Sequence, residues 1–362
     1  MPTTQLILNR RGASLSVKNG RFWVRTDERE TFVPAHQVRS ICLHPATKIT
    51  YEAMILALEH DTDVLLVDRK GFPVGRVWGN RFGSISTIRK NQLAFSTSKE
   101  ALEWVKQVLI RKADNQLAVL QLLTALLQTH SNANLDSQTS PAKQAHYDNQ
   151  KLTDATKTIE RIKDKFKYHQ SSDLQDSFAS FRGFEGSMSR AYFEALSGVL
   201  PEKYRFKKRT QHPAMDAFNC LLNYAYGMLY GQCEGALIRA GLDPAIGIMH
   251  RDEYNRPVLV YDFIELFRAW ADYVVCHLCV QEVVYDEFFE VQNGQYWLNT
   301  TGKRILIQSV NDYLEELILF NNLSRSRLTH IELEAQKIAA QMKRFVASTP
   351  IPGPFPSEGK GG

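Results

Sequence analysis

Over the first ninety residues, apolar and polar positions alternate with a period close to two in short bursts: Gln5 to Leu8, Leu15 to Lys18, Phe22 to Arg25, Thr31 to Val33 and Val38 to Leu43. Alternation of this kind predicts half-buried strands. Asn19-Gly20 separates the second and third bursts, and that dipeptide favours the two-residue hairpin turn that needs positive φ. One segment breaks the pattern: Tyr51 to Glu59 sets Ala53, Leu56 and Ala57 at helical spacing. The apolar run between Asp63 and Asp68 then predicts a buried strand, and Val74 to Trp78 a last one. The expected product is a small β-sandwich-like or barrel-like domain over residues 1–90, with a single helix.

After it the period changes. Phe82 to Thr97 contains Gly and Ser with few periodic apolar residues and reads as a connector, its linker proper at 91–98. Thr97-Ser98-Lys99-Glu100 then has the form of a capping sequence. The helix it opens carries Val105, Leu109, Ala113, Leu117 and Leu120 as its buried stripe to about Gln128. Further helices are expected over Leu152 to Tyr168, Phe184 to Leu200, Ala217 to Ala240, Asp262 to about Val284, Lys303 to Leu319 and Leu328 to Val346. Gly241 stands where a left-handed cap ends the fourth of these seven helices. Asn293-Gly294 marks a hairpin, the polar segment 129–149 a surface loop, and the Pro/Gly-rich segment 348–362 a disordered tail. The expected fold class is therefore α+β: the β-rich N-terminal domain is linked to a larger, all-α C-terminal domain over residues 99–347.

A chain of 362 residues with 44% hydrophobic and 23% charged residues has enough apolar material for two cores. Its formal net charge of +5 permits nucleic acid as a partner without demanding it. The five cysteines lack a framework spacing, and Cys276-His277-Leu278-Cys279 falls within a helical pattern, which favours buried thiols over zinc. No apolar run suffices to span a bilayer and no signal-peptide pattern opens the chain, so the expectation is a cytoplasmic protein in a reducing compartment, with no membrane partner.

Candidate chemistry concentrates between Asp216 and Arg268. Ala245 to Met249 is an apolar run delivering His250; Val258 to Tyr261 is another, delivering Asp262, with Glu265 one helical turn later. Such placement suits polar ligands brought from distant positions to one point. It equally suits a capping box made by the two acids and a buried, hydrogen-bonded histidine. Glu185 lies between Gly183 and Gly186 at an expected helix start, where it is open to a ligand or simply complements the helix dipole. Between Pro201 and Gln211, Lys203, Arg205, Lys207, Lys208 and Arg209 interleave with Tyr204 and Phe206, a pattern that fits a phosphate backbone and its bases or a plain exposed loop. Lys203, Lys207, Lys208 and Arg209 are the DNA-contact candidates on this ground.

Three motifs occur in order: Glu185-Gly186 leading to Tyr192-Phe193, then Gly241-Leu242-Asp243-Pro244-Ala245-Ile246-Gly247-x-x-His250, then Tyr261-Asp262-x-x-Glu265-x-x-Arg268. Together, on this architecture, they resemble the CRISPR-associated spacer-acquisition integrase, a metal-dependent DNA endonuclease family, over the whole chain. The resemblance implies metal ligands at Glu185, His250 and Asp262, a second acid at Glu265, and a basic residue for DNA at Arg268. It implies Mg²⁺ or Mn²⁺ as cofactor. The reaction implied is transesterification, in which the 3′-hydroxyls of a captured DNA fragment attack the CRISPR repeat. A homodimer is implied, together with a small ferredoxin-like partner protein. Two departures stand out: Glu265, where many members carry Asp, and the polar segment 129–149, which looks like an insertion. A catalytically silent DNA-binding scaffold of the same fold, or an unrelated structural or RNA-binding protein, are the competing readings.

Overall fold

The computed structural model describes residues 4–69, 73–77, 79, 85–133, 149–170, 173–250 and 256–345. The N-terminal part holds β1 (Thr4–Leu8), β2 (Ser14–Lys18), β3 (Arg21–Arg25), β4 (Glu30–Pro34), β5 (Val38–Leu43), β6 (Lys48–Ile49), α1 (Tyr51–Glu59), β7 (Asp63–Val67) and β8 (Pro73–Val77). They form two four-stranded sheets, ordered β1-β5-β7-β8 and β4-β3-β2-β6. The β2–β3 hairpin turns at Asn19 and Gly20, both at positive φ. The first sheet is mixed: β1 and β7 both run parallel to β5, because α1 and the β2–β4 meander serve as crossovers, while β8 returns antiparallel. Leu15 and Phe22 of one sheet, Val38, Ile41 and Val64 of the other, and Ala53 and Ala57 of α1 bury into one common core.

The helical part comprises α2 (Ile85–Ser96), α3 (Lys99–Ala133), α4 (Asn149–Lys167), α5 (Leu174–Val199), α6 (Ala217–Arg239), α7 (Val258–Ile264), α8 (Arg268–Val280), α9 (Thr300–Glu315) and α10 (Arg327–Arg344). Two hairpins interrupt it, β9 (Phe289–Gln292) with β10 (Gln295–Leu298) and β11 (Leu317–Phe320) with β12 (Leu323–Ser326), so this domain is mainly rather than wholly α. The second hairpin replaces the end of an expected helix. Asn321 and Asn322 both take positive φ, as a tight turn between strands requires, and Leu317 and Leu319 share one exposed face in strand alternation.

The expected connector is also structured. Ile88, Gln92 and Phe95 are buried at four- and three-residue spacing, and they make α2 a helix that packs on α10. A third difference concerns the helix expected from Asp262 to about Val284: it starts earlier, at Val258, and is broken in two. α7 ends at Ile264, and a turn at Glu265 to Phe267 precedes α8. The expected loop at 129–149 is shortened from both ends by α3 and α4, and its centre, like the tail at 348–362, lies outside the described residues. Gly241, at φ +87°, sits just past the end of α6 as expected. Cys276 and Cys279 are buried free thiols. Among the described residues no helix is long and apolar enough to cross a membrane.

The helical core is continuous from α2 to α10. The strand-rich and helical parts meet along α6. There Arg76 of β8 reaches Asp63 within its own sheet and, on α6, Glu234 at 3.1 Å and the carbonyl oxygen of Gly231 at 2.8 Å.

Candidate active site

A cleft of about 490 Å³ opens in the helical domain. α3 supplies Lys112, Asn115 and Gln116, and α5 supplies Glu185 and Ser189. α6 supplies Tyr226; His250 comes from the segment after α6, Glu265 from the end of α7, and Arg268 and Asp272 from α8. Lys207, Lys208 and Arg209 also line it.

The histidine arm is built first by backbone. Gly247 permits a close turn: a Cβ there would stand 2.6 Å from the carbonyl oxygen of His250. The turn aims three successive N–H groups at one acid. Ile248 and Met249 donate to Asp262 Oδ2 at 2.8 and 3.1 Å, and His250 to Oδ1 at 3.2 Å. The same Oδ1 accepts from His250 Nδ1 at 2.6 Å. Asp262, 2% exposed, therefore faces the backbone and the back of the imidazole, and it forms no part of the cleft wall. With Nδ1 as the donor, the Nε2 lone pair of His250 is free for chemistry. Burial alone would lower the imidazole pKa, but the hydrogen bond and charge of Asp262, with Glu265 and Glu185 beyond, raise it. Two further contacts hold this arm. Arg182 of α5 donates to the Met249 carbonyl at 3.0 Å, and buried Gln92 of α2 donates to the carbonyls of Asp243 and Ile246 at 2.8 and 3.2 Å.

The acid arm centres on Glu265, 6% exposed. Asn115 fixes the turn after it by donating to the Leu266 carbonyl at 2.9 Å. Arg268 Nε donates to Glu265 Oε1 at 2.7 Å, and Lys112 Nζ approaches Oε2 at 2.7 Å. Burial would raise this carboxyl, but Arg268 and Lys112 outweigh it and hold Glu265 at about 2. Lys112 simultaneously pairs with Glu185, whose Oε1 also accepts from Ser189 Oγ at 3.0 Å. Burial would depress the ammonium, yet Glu265 and Glu185 keep its pKa raised. A buried ammonium thus lies between two carboxylates from separate helices.

The structure therefore brings Glu185, His250 and Glu265 onto one cleft, with Asp262 immediately behind His250. The capping-box alternative does not hold, since Asp262 lies inside α7 and Glu265 at its C-terminal end. Among the described residues no group of three or more His, Cys, Asp or Glu side chains is arranged to hold a metal as it stands. The physical reason is visible: Lys112 separates Glu185 from Glu265, and Asp262 is turned toward backbone. The donor chemistry nevertheless fits a hard divalent cation, with carboxylate oxygens and one imidazole nitrogen converging. Glu265 Oε2 is buried against the Lys112 ammonium at 2.7 Å, so a cation ligated by this oxygen would take the place of that ammonium.

The basic segment divides. Lys207 and Lys208 are exposed on the cleft rim. Arg209 is fastened inward, donating to Asn219 and Asn223 of α6 at 2.6 Å each, with Tyr226 and Phe193 against its guanidinium. Lys203 lies outside the cleft wall, bound to the Val284 carbonyl at 3.2 Å and to Asp286 at 3.3 Å. Tyr204 and Phe206 do not present faces to bases. Both are buried, Tyr204 donating to the Val284 carbonyl at 2.7 Å and Phe206 stacked on Phe218 at 4.7 Å. Apolar contacts under the loop outweigh exposure of such large rings.

Sequence reasoning missed Lys112, Tyr226 and Asp272. A signal existed for Lys112: it and Gln116 sit among Val105, Val108, Leu109, Val119 and Leu120 on the buried stripe of α3. A lysine on a buried face needs anionic partners. Asp272, 1% exposed, accepts from Tyr192 at 2.9 Å and Tyr226 at 2.5 Å. Burial lifts its carboxyl to about 6 despite these hydrogen bonds. With a folded pKa above the unfolded value, the resulting stabilisation is complete below about pH 4 and disappears as pH rises through about 6. Asp272→Asn cannot ionise, so its stability relative to the wild type is expected to improve by about 3 kcal/mol across that window. Urea denaturation of both proteins at the two ends of the window measures the difference.

Residues 6–312 match the model of the family described as CRISPR associated protein Cas1. A CRISPR-associated endonuclease Cas1 of Archaeoglobus fulgidus is 26% identical over 347 residues, covering 94% of this chain and 96% of its own. A casposase bound to integration product superposes with a TM-score of 0.74 at 20% identity, over 95% of this chain and 91% of that one. The Cas6-RT-Cas1–Cas2 complex contains a chain that superposes with a TM-score of 0.71 at 21% identity, over 94% of this chain and 35% of the larger one. With the family model spanning most of its length, this chain belongs to the Cas1 family of CRISPR-associated proteins.

Proposed function

We propose that this chain is a divalent-metal-dependent DNA endonuclease and integrase, acting in the insertion of captured DNA fragments into a CRISPR repeat. The observation that carries this reading is the position of Lys112. Its ammonium lies between Glu185 and Glu265, so the cleft already gathers carboxylates around a positive charge, with His250 on the same wall. Glu185, Glu265 and His250 Nε2 are the proposed ligands for Mg²⁺ or Mn²⁺. This differs from the set implied by the sequence motifs, because the oxygens of Asp262 are already taken by three backbone N–H groups and by His250. Asp262 is a positioning residue that fixes the tautomer and aim of the imidazole.

A cation bound there supplies positive charge to the phosphoryl oxygens and lowers the pKa of the attacking oxygen. Arg268 and Lys112 add fixed positive charge where the phosphoryl group becomes more negative in the transition state. Lys207 and Lys208 hold the DNA backbone at the rim. In strand transfer a 3′-oxygen attacks phosphorus, one phosphorus–oxygen bond forms and one breaks, and a new 3′-hydroxyl leaves. Hydrolysis is the same displacement with water as nucleophile. The endonuclease name of the Archaeoglobus relative, the integration product on the casposase and the Cas2 partner in the solved complex are consistent with this reading. We extend it to a homodimer working with a small ferredoxin-like adaptation protein.

A catalytically silent DNA-binding scaffold is the reading that the double ion pair of Lys112 favours if the ammonium never yields its place. One experiment separates the two. Branched or single-stranded DNA is incubated with the protein and Mn²⁺, with and without chelator. Chelator-sensitive cleavage or strand transfer is expected, whereas binding without any product identifies a scaffold. For the rim, charge reversal of Lys207 and Lys208 together is expected to make the slope of log affinity against log salt shallower by roughly 1.5, read by fluorescence anisotropy.

A further inference from the structure

A second cavity, of about 260 Å³, lies beside the cleft and shares one lining residue with it, Gln211. The segment from Lys207 to Ala214 runs between the two recesses. Lys207, Lys208 and Gln211 face the first, while Gln211, Pro213 and Ala214 face the second. This strap is fixed at both edges. Asn223 of α6 donates to the Thr210 carbonyl at 3.2 Å and to the Gln211 carbonyl, and Tyr296 N of β10 donates to the Ala214 carbonyl at 3.0 Å.

The walls of the second cavity are chemically distinctive. Tyr224, Tyr296 and Trp297 contribute three half-buried aromatic side chains. Its lining carries two cations, Arg69 from the β7–β8 turn and Lys303 from α9, and one acid, Glu290 of β9; Lys303 Nζ donates to the Arg69 carbonyl at 3.2 Å. The volume is below the several-hundred-Å³ range of whole small-molecule sites, and it suits one planar ring system. Aromatic walls with two cations against one carboxylate are the chemistry that takes an unstacked base and the phosphate beside it. The route over Gln211 joins this recess to the row of Lys207 and Lys208.

We propose that this second cavity receives one unpaired nucleobase of a DNA strand whose neighbouring phosphodiester lies in the catalytic cleft. The proposal rests on the DNA reading above and adds a fixed register: a set number of nucleotides separates the captured base from the reacting phosphate. Because stacking tolerates any base, the cavity measures position along the strand more than sequence.

An abasic scan tests it. Single-stranded oligonucleotides, each lacking one base at a successive position from the 3′ end, are titrated in chelator so that no product forms. For the wild type, one position is expected to weaken binding roughly tenfold relative to its neighbours. Tyr296→Leu should bind the intact strand about tenfold more weakly and lose that positional sensitivity. Lys303→Gln, in the lining and away from the core, should blunt the same position, which provides a second variant should the aromatic substitution disturb folding. A flat scan in the wild type, or a positional dip that survives in both variants, overturns the nucleobase cavity while leaving the DNA reading intact. Absence of DNA binding by the wild-type protein overturns both.

Discussion

Replacing Glu265 with glutamine is expected to lower DNA cleavage by about 10³-fold, whereas Asp262→Asn lowers it by about 10- to 100-fold. The contrast follows from where the two carboxylates point. Glu265 faces the cleft with a buried oxygen held only by the Lys112 ammonium, and its loss removes both a proposed charged ligand and the counter-charge of Lys112 and Arg268. Asp262 faces away, and its loss releases the His250 ring and three backbone N–H groups without emptying the cleft. Loss through positioning acts mainly on metal affinity, so raised Mn²⁺ is expected to restore much of the Asp262→Asn activity and little of the Glu265→Gln activity. Cleavage rates titrated against Mn²⁺ for both variants provide the measurement. Equal, unrescued losses would instead make Asp262 a ligand and refute the set proposed here.

Lys112→Met is expected to destabilise the metal-free protein by about 3–5 kcal/mol, the usual cost of leaving buried charges without a partner. Methionine keeps most of the side-chain volume, so the loss isolates the charge. In the variant, Glu185 and Glu265 face one another with only Arg268 for compensation. A divalent cation then has the ammonium's place to itself. The midpoint of thermal unfolding should fall in chelator and recover in Mn²⁺ by more than the wild type gains from the same addition. A variant as stable as the wild type without metal would mean that the ammonium contributes no net hold on the carboxylates.

The change from strands to helices was legible, though it comes at Ile85, earlier than the change of period near residue 97; β1 to β5 and β7 lie where the apolar pattern put them, because each such strand reports its own inward face, whereas the two-residue β6 is too short to leave a pattern. α2 was hidden for a local reason. Its buried stripe of Ile88, Gln92 and Phe95 includes a polar residue, whose amide is spent on the loop at 243–246. The β11–β12 hairpin was hidden because Leu317 to Phe320 extends the apolar run of α9, and only Asn321 and Asn322 mark the reversal.

At the site, residue types and order located Glu185, His250, Asp262 and Glu265 in one region. Which acid faces the cleft depends on the turn at Gly247 and on the break between α7 and α8. Both are tertiary features that leave no periodic trace. The interleaved aromatics at Tyr204 and Phe206 misled for the opposite reason: local alternation looked like a binding surface, but packing beneath the loop claimed both rings. Lys112 was legible in principle, as a cation on an otherwise apolar stripe.

The arginine at 76 carries an implication for how the molecule comes apart. Its side chain is 4% exposed and links Asp63 of the β half to Glu234 on α6, while Arg239 farther along α6 is paired with Glu332 of α10, which also holds Arg39 of β5. A severed helical half would leave Glu234 without Arg76, and would leave Glu332 with Arg239 but without Arg39. The two halves are therefore expected to melt as one cooperative body rather than as beads on a string, giving a single transition in calorimetry.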